Sequence, residues 1–220
     1  LQAIMGYAEL LLFDKGTEEP GYKELKTIIK TGEGGAELVR QLLAFAQESQ
    51  WLPVDLDINQ HVLNSSQLLS LSCSEQIELE FDLTCPMAFI RADPKQIDQI
   101  LLNLVLNSSE AMPNGGHLNI ETTNVSFEEE HCEGNHLIKP GKYVMISVKD
   151  RGRGMDEATV AKVFDPFFST KQRGSTRGTG LGLSVVQGLV QKNGGHITCH
   201  SKPGEGTEFK VFFPTVTLIR

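Results

Sequence analysis

Asn103 and Asn107 stand four residues apart, so they share one face of any helix that contains them. Ile97, Ile100, Leu101, Leu104 and Val105 form an apolar stripe beside them. Asparagine is a poor helix former because its amide competes for backbone hydrogen bonds, so a pair beside a core stripe calls for a reason. An amide oxygen is a hard, neutral ligand for magnesium, which keeps several waters and takes other ligands from phosphate oxygens. The pair reads either as a magnesium and phosphate site or as two amides on a wet helix face.

A second group lies in VKDRGRGM. Val144, Ile146, Val148 and Asp150 alternate along a strand and point to one face. Three apolar members predict that the face is buried, with the carboxylate at its end. There it can accept a hydrogen bond from an amine at the bottom of an apolar slot, and adenine carries such an amine. Gly152 and Gly154 leave room for backbone to pass over a flat ring. An ordinary strand end followed by a glycine-rich turn would give the same string. Third, Gly178, Gly180 and Gly182 open a helix. Free amides and the helix dipole at such a start bind anions. The spacing is neither the dinucleotide fingerprint nor a P-loop. Between the second and third groups runs FDPFFSTKQRGSTRG, with Lys171, Arg173 and Arg177 and no acid after Asp165. It reads as a basic lid, or as a solvated loop anchored by Phe164, Phe167 and Phe168.

These groups need a scaffold. Apolar stripes over 1–13 and 25–50, separated by a polar turn with Gly16, Pro20 and Gly21, predict an antiparallel helical hairpin. Alone it leaves its stripe uncovered, so it should pair with a second copy. The run Gly32-Glu33-Gly34-Gly35 permits either a close helix contact or a kink. After Pro53 the patterns predict strands over 54–58, 76–83, 117–127 and 142–150 and a closing hairpin over 196–201 and 207–213. Helices are expected to Leu71, over 94–112 with Asp93 as N-cap and Pro94 at its first position, and over 180–192. The acidic stretch 128–139 reads as a solvated loop. The fold class is α+β: a two-layer α/β sandwich of about five mixed strands covered by three helices, preceded by the hairpin.

With 28 acidic against 20 basic residues, the chain carries a net charge of -8 and repels polyphosphates at long range, which excludes nucleic acid as a partner. A nucleotide site must therefore be built locally from amides and a metal. The four cysteines form no C-x-x-C pair, which fits reduced thiols in a cytoplasmic protein. No apolar run approaches the ~18 residues of a membrane span. The opening at Leu1, inside an amphipathic pattern and without methionine, reads as an excised fragment. Any membrane contact is expected through other parts of the parent protein.

The order of the groups resembles the histidine-kinase ATPase domain, the Bergerat fold, over about residues 53–214. QILLNLVLNSSEAM is similar to its asparagine box, DRGRGM to its aspartate box, VFDPFFSTK to its phenylalanine box and GTGLGL to its second glycine box. The resemblance implies ATP and Mg2+ as cofactors, with Asn107 on the metal and Asn103 beside the phosphates. It implies Asp150 on the adenine amine, with Gly152 and Gly154 nearby. Gly178, Thr179, Gly180, Leu181 and Gly182 would wrap the phosphates, Lys171 would act from the lid, and Thr207 would lie near the nucleotide. LQAIMGYAELL and GGAELVRQLLAFAQ resemble the dimerisation hairpin of nitrogen-regulation-type kinases. That implies a hairpin domain over 1–52, a catalytic domain over 53–220, a homodimer and a response-regulator receiver domain as partner. The phosphorylated histidine of that family sits just before the equivalent of Leu1. His61, His117, His131, His136, His196 and His200 fall outside its motif and read as surface or loop residues.

Relatives with this fold that hydrolyse ATP, such as gyrase and MutL, place a glutamate one turn before the magnesium asparagine. Asn103 occupies that position here, and a neutral amide cannot serve as a general base. Glu110 lies nearly two turns from Asn103. The expectation is therefore transfer of the γ-phosphoryl group to histidine, with Asn103 and Lys171 as catalytic groups, for relay to a response-regulator aspartate. The alternatives are a nucleotide-binding and dimerisation module without transfer activity, or a gyrase/MutL-type ATPase.

Overall fold

The computed structural model describes residues 2–13, 15, 19–29, 31–32, 51–86, 88–133, 136–170 and 180–216. Lys171, Gly178 and Thr179, and with them most of the expected lid, lie outside the described residues. The chain divides into two compact units, a smaller one that includes Leu1–Gln50 and a larger one that holds Trp51–Phe168 and Gly180 onward.

In the smaller unit, Gln2–Phe13 is a helix and residues 22–29 are helical again. Lys15 Nζ donates to the Pro20 carbonyl at 2.9 Å across the turn. Gly32 is buried, and a Cβ there would press into the Met5 side chain. That answers the question left by the glycine run at this position: Gly32 serves a close approach of two helical segments.

In the larger unit a five-stranded sheet runs in the order Ile77–Leu83, Gly116–Phe127, Gly141–Asp150, Gly206–Pro214, His196–Lys202. The first pair is parallel and the others antiparallel. Parallel neighbours need a crossover, and the helix Pro94–Ala111 supplies it. Three helices, Ile58–Leu71, Pro94–Ala111 and Gly182–Lys192, cover one face of the sheet. The core lies between these layers. Ile97, Ile100, Leu101 and Leu104 meet Ile120, Ile146, Val148 and Val211, the stripe and alternation expected from the sequence. Asp93 caps the crossover helix as expected, its Oδ1 accepting from the Lys95 amide at 3.0 Å.

Several expectations are corrected. The strand Val54–Asp57 does not join the sheet; it pairs antiparallel with a strand at Phe89–Ala92 that the sequence pattern did not announce. Phe89, Ile90, Arg91 and Ala92 do not alternate apolar with polar. The acidic stretch is not wholly loop, since His131–Glu133 and His136–Ile138 form a small hairpin. Ile138 explains it: fully buried with Tyr143 and Phe212, it covers one end of the sheet face that the helices leave open. Of the histidines expected at the surface or in loops, His117 and His200 are exposed as expected, although on strands, whereas His61 is a partly buried helix residue with Nε2 2.8 Å from Asp98 Oδ1 and His196 is a partly buried strand residue.

Candidate functional site

The strand Gly141–Asp150 ends on the side chain that matters. Val144, Ile146 and Val148 bury their common face, and Asp150, on the same face, is only 2% exposed. Its Oδ1 accepts from the Gly152 amide at 2.8 Å and the Thr207 amide at 3.2 Å. Its Oδ2 accepts from the Ser108 hydroxyl at 3.1 Å. Burial pushes the carboxyl up from its ordinary range, and the bonds from Gly152, Ser108 and Thr207 oppose that rise. A carboxylate offers about four acceptor positions; these three bonds leave one, on Oδ2.

The glycines after Asp150 are required by close approach. A Cβ on Gly152 would lie 2.9 Å from Ala111 Cβ, at the end of the asparagine-bearing helix. Gly154 has φ 65° and packs so tightly that a Cβ would run into the Lys202 carbonyl. Ser201 laces this corner together. Its hydroxyl receives the Met155 amide at 2.8 Å, bonds the Gly206 carbonyl at 2.8 Å and lies 2.9 Å from Thr207 Oγ1.

Asn103 and Asn107 share a face of Pro94–Ala111, as expected. Each Nδ2 donates back one turn, to the Gln99 carbonyl at 2.9 Å and the Asn103 carbonyl at 2.8 Å. That fixes both amides and leaves both Oδ1 atoms as acceptors with no protein partner among the described residues. A Cβ on Gly182, the first residue of the helix Gly182–Lys192, would sit 3.3 Å from Asn103 Oδ1 and 3.6 Å from Asn107 Nδ2. Leu181 is the N-cap of that helix and makes no side-chain cap bond, so the first amides of the helix receive nothing from the capping side chain. Gly180, at φ 67°, accepts from the Phe167 amide at 2.9 Å. This bond ties Phe167, near the start of the expected lid segment, to Gly180, just after it. Of the three phenylalanines, Phe164 packs on the core and stacks edge-on with Phe209. Phe167, by contrast, is 71% exposed with φ 66° and does not anchor by burial.

The structure thus brings Asn103, Asn107, Asp150, Gly152, Gly154, Gly180, Leu181, Gly182 and Thr207 onto neighbouring elements. The joints are Ser108 to Asp150 and Gly182 to Asn103. Ser108 was missed by reading the sequence. Its signal was there, a polar residue at helical spacing on the stripe Ile97, Leu101, Leu104. An open cavity of about 1010 Å3 adjoins the corner, its described lining including Asp150, Thr207, Phe164, Gln187 and Cys199 but neither asparagine. Burial, aided by the charge of Asp150, pushes the Cys199 thiol up to about 12. No helix among the described residues is long and apolar enough to cross a membrane.

Residues 92–217 match the family profile described as histidine kinase-, DNA gyrase B-, and HSP90-like ATPase. Sensor kinase CckA of Brucella abortus (strain 2308) is 35% identical over 214 residues, 97% of this chain and 22% of CckA. The signal transduction histidine-protein kinase AtoS of Escherichia coli (strain K12) is 30% identical over 219 residues, 97% of this chain and 32% of AtoS. The chain therefore spans a third or less of the length of these two relatives. Among solved structures, full-length ShkA in complex with AMPPNP superposes with a TM-score of 0.71 at 25% identity, covering 99% of this chain and 43% of ShkA. Histidine kinase ThkA in complex with response regulator protein TrrA gives a TM-score of 0.65 at 20% identity over 98% of this chain and 57% of ThkA, a likeness of fold.

Proposed function

This chain belongs to the histidine kinase-, DNA gyrase B-, and HSP90-like ATPase family, and on that premise we propose that it is the part of a sensor histidine kinase that binds Mg-ATP and transfers the γ-phosphoryl group to a histidine. One observation carries the reading. A buried carboxylate with one acceptor position to spare, two asparagine oxygens without protein partners among the described residues and a glycine helix start meet at a single corner.

Each residue type suits one part of a nucleotide. Asp150 Oδ2 accepts from the adenine amine, while Gly152 and Gly154 keep the backbone close to the ring. Thr207, laced to Ser201 beside Asp150, borders the base. The amides of Gly180, Leu181 and Gly182 at the helix start serve the phosphates, and Gly178 and Thr179, outside the described residues, are assigned to the same role. Asn107 fits magnesium, because its nitrogen is tied to the Asn103 carbonyl and its hard oxygen has no partner among the described residues. When bound there, magnesium supplies charge neutralisation on the phosphate oxygens.

Asn103 has no proton-accepting nitrogen or carboxylate, so nothing at that position activates water. The γ-phosphoryl group is thereby kept for an imidazole nitrogen. That lone pair forms the P–N bond as the bond from γ-phosphorus to the β–γ bridging oxygen breaks, and ADP leaves with the electron pair. Lys171 stabilises the charge that develops, and the protein otherwise positions the partners. The relatives' names and the regulator complex of ThkA support relay to a response-regulator aspartate. The exposed Ile4, Tyr7, Leu10 and Leu11 of the first helix support pairing of the hairpin with a second copy. Calorimetric titration with ADP, with and without magnesium, tests the reading. Binding should strengthen with magnesium; absence of binding at millimolar nucleotide would remove the kinase assignment.

A further inference from the structure

The helix Gly182–Lys192 is joined to Pro94–Ala111 at both of its own ends. At one end Gly182 lies against Asn103. At the other, Asn193 caps the helix Gly182–Lys192 and meets the start of Pro94–Ala111. The pair is antiparallel over this span.

Asn193 is 6% exposed, and its amide is fully used. Oδ1 accepts from the Asp93 amide at 3.0 Å and from Trp51 Nε1 at 3.2 Å. Nδ2 donates to Gln96 Oε1 and to the Leu189 carbonyl, both at 2.8 Å. Two donors and two acceptor positions are all that an amide has. Asp93, itself buried, caps the asparagine-bearing helix and also accepts from the Leu52 amide at 3.2 Å through Oδ2. One side chain therefore bonds the end of one site helix, the start of the other, and the residue through which the chain enters the unit.

We propose that Asn193 is a positioning residue that sets the spacing between the asparagine pair and the glycine helix start, and that Trp51 makes nucleotide binding and the entering chain sense each other through it. The inference rests on the nucleotide-binding reading above. The helix between the joints has 11 residues and is about 16 Å long. A tilt of about 5° at Asn193 would shift Gly182 by roughly 1.4 Å, more than the tolerance of a hydrogen-bonded site. Coupling is reciprocal: a ligand that fixes the helix pair at Gly182 also tightens the bond to Trp51.

Trp51 is the sole tryptophan and is 45% exposed, so its fluorescence reports the joint directly. The test uses the full chain, with calorimetry for ADP affinity in magnesium and acrylamide quenching of Trp51. In the unaltered chain, saturating ADP should lower the quenching constant. Asn193→Ala should bind ADP about ten-fold more weakly at 25 °C while still folded, and ADP should no longer alter its quenching. Trp51→Phe, which keeps an aromatic side chain and removes the donor, should weaken ADP about threefold; it carries the test if Asn193→Ala does not fold. A purely structural role would lower the melting temperature of these variants and leave their affinities unchanged, which overturns the proposal. So would quenching indifferent to ADP. If the unaltered chain binds no ADP, the functional reading and this inference fall together; if it binds and the variants match it, only the inference falls.

Discussion

Asp150→Asn separates a ligand-binding carboxylate from a structural one. In the folded protein the substitution can be absorbed. The amide oxygen keeps the bonds from Gly152 and Thr207, and the new NH2 donates to Ser108 Oγ once that hydroxyl turns. The acceptor position left over on Oδ2 becomes an N–H and confronts the adenine amine donor to donor. Loss of a hydrogen bond to a charged group costs about 1.5–3 kcal/mol, which is roughly a 10- to 150-fold weaker Kd for ADP. Stability moves the other way. Because burial raises the Asp150 carboxyl, its stabilising contribution is complete below the ordinary carboxylate range and is lost as pH rises through the raised value. Asparagine has no such loss. The variant should therefore melt no lower than the unaltered protein at neutral pH, and the difference should shift in its favour between acid and neutral buffer. Calorimetry for ADP and thermal melts across that range are the assay. Unchanged affinity would refute the adenine assignment, and a collapsed melting temperature at neutral pH would refute the hydrogen-bond accounting.

Three further outcomes are expected. Asn103→Glu places a carboxylate beside Gly182 and should raise steady-state phosphate release from ATP about 100-fold; no rise with nucleotide still bound would sink the argument for spared hydrolysis. Gly154→Ala puts a side chain at φ 65° against the Lys202 and Gly206 carbonyls and should destabilise the unit by about 3 kcal/mol or more in urea titration. Cys199, pushed up to about 12 by burial, should resist iodoacetamide at pH 8 in the native protein and react in urea, as mass spectrometry of its peptide will show.

Local pattern carried much of this protein. The alternation of Val144, Ile146, Val148 and Asp150 marked a buried face and its polar end, because period two in sequence is one side of a strand in space. The spacing of Asn103 and Asn107 placed them on one helix face, and each amide's bond to the carbonyl four residues back is a local event. The helices, the closing hairpin and the order of the motifs follow from the same short-range rules. What escaped was short or distant. Phe89–Ala92 does not alternate apolar with polar, and the strands His131–Glu133 and His136–Ile138 pair where Ile138 finds Tyr143 and Phe212. Ser108 meets Asp150 across 42 positions, and Asn193 meets Gln96 across 97 and Asp93 across 100. No periodicity encodes such a bond, since its partner is chosen by how the layers close. The sequence determined which groups could bind a nucleotide; only the packing of helix on helix and helix on sheet decided which side chains hold those groups in register.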